Sequence, residues 1–247
     1  FYLSRLASAR LAAHLASWGF VVAAPDMIEY YGPTLESGLP GGDPQAALTN
    51  VVAALGAANS APVGVLSGHL DLGNLAVMGH SFGAVVTTQF AATAGVNMFI
   101  NLAAGTVPFP LFPTVEQGGA LKDSMWLASR NDIKRSADSL PAVADQTAGP
   151  REIAVLDDGG HIAAYTDLCL VGGDSGGHGL VAQLATAGLD LGDFSSTAVD
   201  GCVTSPAVQA GATAVVAHFV TAGLRWHLGL DRLPEGARAR VRLPASA

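Results

Sequence analysis

The stretch Leu75-Ala76-Val77-Met78-Gly79-His80-Ser81-Phe82-Gly83-Ala84 constrains the fold more than any other. A short apolar run climbs into a Gly-x-Ser-x-Gly pentapeptide. An apolar segment rich in small residues then follows, from Val85 to Ala94. The first run is too short for a helix and closes on glycine, so it reads as a strand, and the second segment reads as a helix. Ser81 stands at the sharp turn between them. Such a turn strains the serine backbone and asks for small residues on either side, which Gly79 and Gly83 supply. It lifts the hydroxyl out of the sheet. It also points the N-terminus of the following helix, with its N–H groups and positive dipole end, at the same place.

The same alternation runs through the chain. Leu11, Leu15 and Trp18 recur at helical spacing between Leu3 and Trp18, and Gly19 stops that helix. Phe20-Val21-Val22-Ala23-Ala24, closed by Pro25-Asp26, reads as a strand buried on both faces. Asp43-Pro44 is an N-cap followed by proline at the first helical position, and Leu48, Val51, Val52 and Leu55 give the helix behind it. Further strands are expected at Asn97–Ala103, Ser124–Ala128 and Glu152–Leu156, with a short helix broken by Pro141 between the last two. Gly172 to Val203 reads as a long, Gly-rich insert, and Ala210 to Leu228 as a closing amphipathic helix. Strands alternating with helices predict an α/β fold, a mostly parallel sheet with helices on both faces. The expected domain spans residues 1–230, with a poorly structured tail at 231–247. No internal repeat is present.

With 247 residues, half of them hydrophobic and 13% charged, the chain has the composition of a compact globular protein. The formal net charge of −8 comes without a basic stripe, which excludes a nucleic-acid partner. No apolar run reaches the length of a membrane span, and no leader-like pattern opens the chain. No cysteine or histidine spacing suggests a metal, and no cofactor motif is seen. The two cysteines, Cys169 and Cys202, lie in loop-like sequence. A disulfide between them would restrain a long excursion and fit an oxidising, extracellular compartment; two unpaired buried thiols are the alternative.

A serine hydroxyl becomes a nucleophile when a base lies within hydrogen-bond reach and a third group orients that base. Open α/β sheets place such groups beyond the carboxyl ends of strands. Ser81, Asp132 and His161 occupy three such positions. In those roles His161 takes and returns the Ser81 proton, Asp132 holds the imidazole, and the Phe82 backbone N–H donates to the developing oxyanion.

These residues resemble the α/β-hydrolase superfamily, whose order of Ser, then Asp, then His they follow. The branch implied is the one holding dienelactone-hydrolase-like, cutinase-like polyester-hydrolase and platelet-activating-factor-acetylhydrolase-like enzymes. The segments that carry the likeness are Leu15-Ala16-Ser17-Trp18-Gly19-Phe20-Val21-Val22, Gly79-His80-Ser81-Phe82-Gly83, Asn131-Asp132 and Gly160-His161, over a span reaching about Leu228. The resemblance implies a serine carboxylic-ester hydrolase working through an acyl-enzyme, without a cofactor, on small-molecule, lipid or polyester substrates, and as a monomer. It also implies a second oxyanion donor before the first helix, at Phe1 or Tyr2 or upstream, and sheet strands preceding the first residue. The alternative is a catalytically silent scaffold of this fold used for binding.

Other residues admit rival readings. Phe109 and Phe112 in a Pro-rich loop read equally as an acyl pocket or as packing. Tyr2, Ile133 and Ile162 are candidate pocket walls from their positions beside the proposed donor, acid and base. Gly173-Asp174-Ser175-Gly176-Gly177 and Ala12-Ala13-His14 match chymotrypsin-like protease motifs, but those enzymes are all-β and His14 sits in a helical pattern. His178, in Gly-rich sequence, is the rival base. Asp123 and Asp138 are rival acids, and Asp26 is a turn or cap residue. Asp157-Asp158 reads as a solvated turn, His80 as a packed neighbour of the serine, His69 as a loop residue, His218 and His227 as structural, and Trp126 as core.

Overall fold

The four runs after residue 74 that read as strands each form one. The computed structural model describes residues 5–27, 42–92, 95–103, 122–134, 137–145, 147–170, 176–188, 192, 194–202 and 206–230. Strands β1 (Leu75–His80), β2 (Val96–Leu102), β3 (Asp123–Ser129) and β4 (Arg151–Leu156) pair in that order as one parallel sheet. The helices are α1 (Ala9–Ser17), α2 (Pro44–Ser60), α3 (Phe82–Phe90), α4 (Leu140–Ala144), α5 (Gly176–Thr186), α6 (Phe194–Thr197) and α7 (Pro206–His227). This is the α/β architecture expected, and it fits an α/β-hydrolase fold.

Side chains alternate across the two central strands, as the pleat requires. Met98, Ile100 and Leu102 of β2 and Met125 and Leu127 of β3 face Leu11 and Leu15 of α1 and Val216, Val220 and Leu224 of α7. Phe99 and Trp126 face the other way, against Phe90 at the end of α3, Leu140 and Ala144 of α4, and Leu48 and Val52 of α2. Both faces of the sheet are therefore covered, which is why its central strands read as unbroken apolar runs. Each buried side chain of this size contributes about 1.5–3 kcal/mol on leaving water. Trp126 is wholly buried, as its core reading requires, with its Nε1 donating to Ser124 Oγ at 2.9 Å. At the start of α2 the Asp43 carboxylate accepts from the Gln45 amide at 2.8 Å, the predicted cap.

Four expectations change. Phe20–Ala24 is not a strand: these residues pair with nothing in the sheet, and Val21 and Val22 are 52% and 37% exposed. An apolar cavity of about 370 Å³ lies between this segment and β1, lined also by Leu48, Val51 and Leu55. An apolar run becomes a strand only where a neighbour supplies hydrogen bonds, and none of the described residues does so here. Trp18 leaves the core face of the first helix; it is 45% exposed, with the Arg225 guanidinium 5.3 Å from its ring centroid. Pro141 sits in the first turn of α4 and does not break it, because the first helical turn needs no N–H from that residue. The Gly172–Val203 stretch is not simply a loop, since it carries α5 and α6. The proposed 231–247 tail lies outside the described residues, as do Phe1, Tyr2, Phe109 and Phe112.

Candidate active site

The turn after β1 has the strained form that its sequence predicts. Ser81 adopts φ 55° and ψ −121°, a region that side-chain-bearing residues seldom enter. Its amide is held by the Leu102 carbonyl at 2.8 Å, which extends the β1–β2 ladder by one bond before α3 begins at Phe82. Only one flanking glycine is sterically required. A Cβ on Gly79 would fall inside the backbone of Gly83 and Ala84, whereas a Cβ on Gly83 would meet nothing within 4 Å. The expectation that both positions must be small is thus corrected: the tight approach is made by Gly79 alone.

The candidate acid and base, Asp132 and His161, come from the turns after β3 and β4, and these two turns are tied to each other. Arg130 N–H continues the β3–β4 ladder to the Leu156 carbonyl at 2.8 Å. The next residue, Asn131, accepts with its Oδ1 from the amides of Gly159 (3.1 Å) and Gly160 (2.8 Å). The residue beside Asp132 therefore shapes the loop that delivers His161. Asp132 Oδ1 accepts from the Lys134 amide at 2.7 Å, leaving Oδ2 for His161 Nδ1 at 2.8 Å. His161 Nε2 lies 2.8 Å from Ser81 Oγ. The side chains of Asp132 and His161 are 0% and 4% exposed, so water scarcely competes for either hydrogen bond. With a carboxylate on the Nδ1 side, that nitrogen carries the proton and donates, and Nε2 is left to accept from the serine hydroxyl.

His80 is more than a packed neighbour. Its Nε2 donates to the backbone carbonyl of His161 at 2.6 Å, and its ring stacks on Tyr165 at 5.8 Å between centroids. Burial, helped by the nearby His161 ring, lowers its pKa from 6.5 to about 3, so His80 is neutral in the working range. The Tyr165 hydroxyl lies 2.9 Å from Ser129 Oγ, and burial raises its pKa well above the ordinary phenol value. Both rings beside the base are thereby kept uncharged.

Sequence reading also missed Asp200. Its Oδ2 accepts from the backbone amides of His161 (2.6 Å) and Ile133 (3.1 Å), and its carbonyl accepts from Ile162 (3.2 Å) and Ala163 (3.3 Å). The only signal was position: Asp200 stands two residues before Cys202. Cys169 and Cys202 form a disulfide, so the unpaired-thiol alternative falls.

The remaining candidates separate from this cluster. Asp123 pairs with His227 Nδ1 at 2.8 Å at the start of β3, and Asp138 lies 3.9 Å from Arg130. Asp157 also faces Arg130, at 3.1 Å, and Asp158 accepts from Asn131 at 2.5 Å. Asp26 accepts from the Arg5 amide at 2.7 Å and ion-pairs with its guanidinium, capping the single 3-10 turn before α1. His178 lies exposed on α5, and His14 lies within α1. His69 lies in a turn and His218 on α7. Ile133 is 57% exposed beside Asp132. Ile162, at 2% exposure, packs with Ala163 and Cys169 instead, so its side chain belongs to a small core under the disulfide rather than to an open wall.

Among the described residues no helix is long and apolar enough to cross a membrane. No protein-family model matches the chain, and no curated protein matches it. Solved structures do. One is a protein assigned to the alpha/beta superfamily of hydrolases from Xanthomonas campestris pv. campestris, with 18% identity and a TM-score of 0.46, covering 63% of this chain and 79% of its own. Another is acetyl xylan esterase 1 from Thermoanaerobacterium sp. JW/SL YS485, with 14% identity and a TM-score of 0.31, covering 45% of this chain and 46% of its own. A third is an alpha/beta hydrolase enzyme from a Medee basin deep-sea metagenome library, with 16% identity and a TM-score of 0.48, covering 92% of this chain and 79% of its own.

Proposed function

We propose that this chain is a serine hydrolase of the α/β-hydrolase superfamily that cleaves carboxylic esters through an acyl-enzyme on Ser81. One observation carries the reading. A strained serine, a buried imidazole and a buried carboxylate form a single hydrogen-bonded line, with both links at 2.8 Å. Hydroxyl, imidazole and carboxylate in that order are what proton removal from an alcohol requires.

In the proposed reaction His161 Nε2 accepts the Ser81 proton as Oγ bonds to the ester carbonyl carbon. The Asp132 carboxylate stabilises the imidazolium. The Phe82 amide, first in α3, donates to the oxyanion, and the second donor is assigned to Phe1, Tyr2 or a residue upstream of them. The carbon–oxygen bond to the alcohol then breaks, and His161 returns the proton to the leaving oxygen. Water repeats the attack on the acyl-enzyme with His161 again as base, releasing the acid and restoring Ser81. Groups supplied by the chain suffice for this cycle, without a cofactor. Ile133 offers an apolar surface beside the site for the acyl or alcohol part, and the loop holding Phe109 and Phe112 is the proposed remainder of that pocket. The branch resemblance favours lipid or polyester substrates, and the disulfide fits an oxidising, extracellular setting.

Reaction with a fluorophosphonate tests the reading. The adduct is expected on Ser81 alone, and Ser81→Ala is expected to abolish both labelling and turnover of p-nitrophenyl acetate. Label on another residue, or full activity in the variant, overturns it. A folded wild-type protein that neither labels nor turns over would instead be the silent binding scaffold.

A further inference from the structure

Three loops meet at the base, and one carboxylate touches two of them. Asp200 Oδ2 accepts from Ile133 N–H, next in sequence to the acid, and from the N–H of His161 itself. Both partners are backbone amides, so Asp200 fixes where the two turns run rather than how a side chain titrates. Its main chain is equally committed. The Asp200 carbonyl receives the amides of Ile162 and Ala163, the two residues after the base. Gly160 and Gly201 pack back to back, both at positive φ (57° and 80°); a Cβ on Gly160 would overlap Asp200 and Gly201, and one on Gly201 would overlap Gly159. The segment is thus pressed directly onto the loop that delivers His161. It is also held from behind, because Cys202 is bonded to Cys169, whose neighbourhood packs on Ile162.

We propose that Asp200 is a positioning residue of this site: it locks the acid-bearing and base-bearing turns in one register, and so sets the Ser81–His161–Asp132 alignment without touching substrate. The inference rests on the serine-hydrolase reading for its kinetic consequence, but not for its geometric one. In a triad the line must hold to a fraction of an ångström, and small misplacements cost far more in rate than in binding. Without the carboxylate, two neighbouring amides lose their acceptor, and the turns after β3 and β4 can part.

Asp200→Ala and Asp200→Asn separate this from general support of the fold. Asp200→Ala is expected to lower kcat for p-nitrophenyl acetate by about tenfold or more while KM changes less than about threefold, with Asp200→Asn, whose amide oxygen still accepts, falling between. The low-field proton resonance of the His161 Nδ1–H···Asp132 hydrogen bond, visible without any turnover, is expected to move or broaden in Asp200→Ala. Wild-type kcat with an unchanged resonance overturns the proposal, as does a loss confined to KM. If Asp200→Ala is recovered unfolded, Asp200→Asn decides by the same two readings. A wild-type protein that shows the resonance but no esterase activity, with the resonance lost in the variant, removes the esterase reading and keeps the positioning role.

Discussion

His80 grips His161 by its backbone: its Nε2–H, from the residue before Ser81, donates to the His161 carbonyl 2.6 Å away. The elbow therefore holds the base from one side while Asp200 holds its amide from the other. The hydrogen bond asks only that Nε2 carry a proton, and the burial of the ring is what resists a second proton on Nδ1.

That burial makes a signed pH prediction. The folded pKa of about 3 lies below the ordinary 6.5, so between these values the unfolded chain binds the extra proton and the folded one does not. Stability from this group therefore falls as pH drops below 6.5, by up to about 1.4 kcal/mol per pH unit, and levels off near the folded pKa. In His80→Gln, which keeps a donor but cannot titrate, this slope should vanish. Urea unfolding of both proteins from pH 7.5 to pH 4 measures it. A wild-type-minus-variant difference that is constant with pH would contradict the assignment.

Asp132→Asn should leave the fold in place and lower kcat by about 10³–10⁴-fold, because an amide can donate to Nδ1 and favour the wrong imidazole tautomer. The reading is kcat at saturating ester, alongside circular dichroism. A variant within tenfold of wild type would remove Asp132 from the acid's role.

The two glycines of the pentapeptide should behave differently. Gly79→Ala drives a methyl into the Gly83 backbone, at a cost of about 1–3 kcal/mol or more, with loss of Ser81 labelling. Gly83→Ala meets open space inside α3, so it should be neutral or stabilise by up to about 1 kcal/mol. Thermal unfolding of the two variants decides; equal losses would contradict the close approach at Gly79.

Breaking Cys169–Cys202 releases a crosslink between residues 33 apart. The change should lower stability by about 2–4 kcal/mol, mainly through the unfolded chain. Below the melting point, the Cys169→Ser/Cys202→Ser protein should also lose kcat, since the bridge backs the Asp200 segment. Comparison of kcat at a temperature where both proteins are folded tests this second part.

The Ser81–His161–Asp132 hydrogen-bonded line was legible because its signals are local. Gly79 before Ser81, and an acidic residue and a histidine shortly after the third and fourth strands, follow from the way a parallel sheet gathers strand ends at one rim. The core was legible from the near-continuous apolar runs Asn97–Ala103 and Ser124–Ala128, the pattern of strands covered on both faces. Phe20–Ala24 misled because its apolar run is intrinsically strand-like, whereas a strand also needs a partner, which no window of sequence contains. Asp200 was invisible for the converse reason. Its importance lies wholly in backbone amides 39 and 67 residues away, and an aspartate in Gly-rich sequence looks like any turn residue. His80 stood in plain view, but the group it bonds is a carbonyl, which carries no side-chain signature.

The sheet's two rims are chemically unequal. Ser81, Asp132 and His161 all follow carboxyl ends, while the opposite rim carries Asp123 with His227 and Asn97 accepting from the Leu75 amide. The pairings at that far rim touch none of the three, so replacing Asp123 or Asn97 should cost stability while leaving the Ser81–His161–Asp132 line in place.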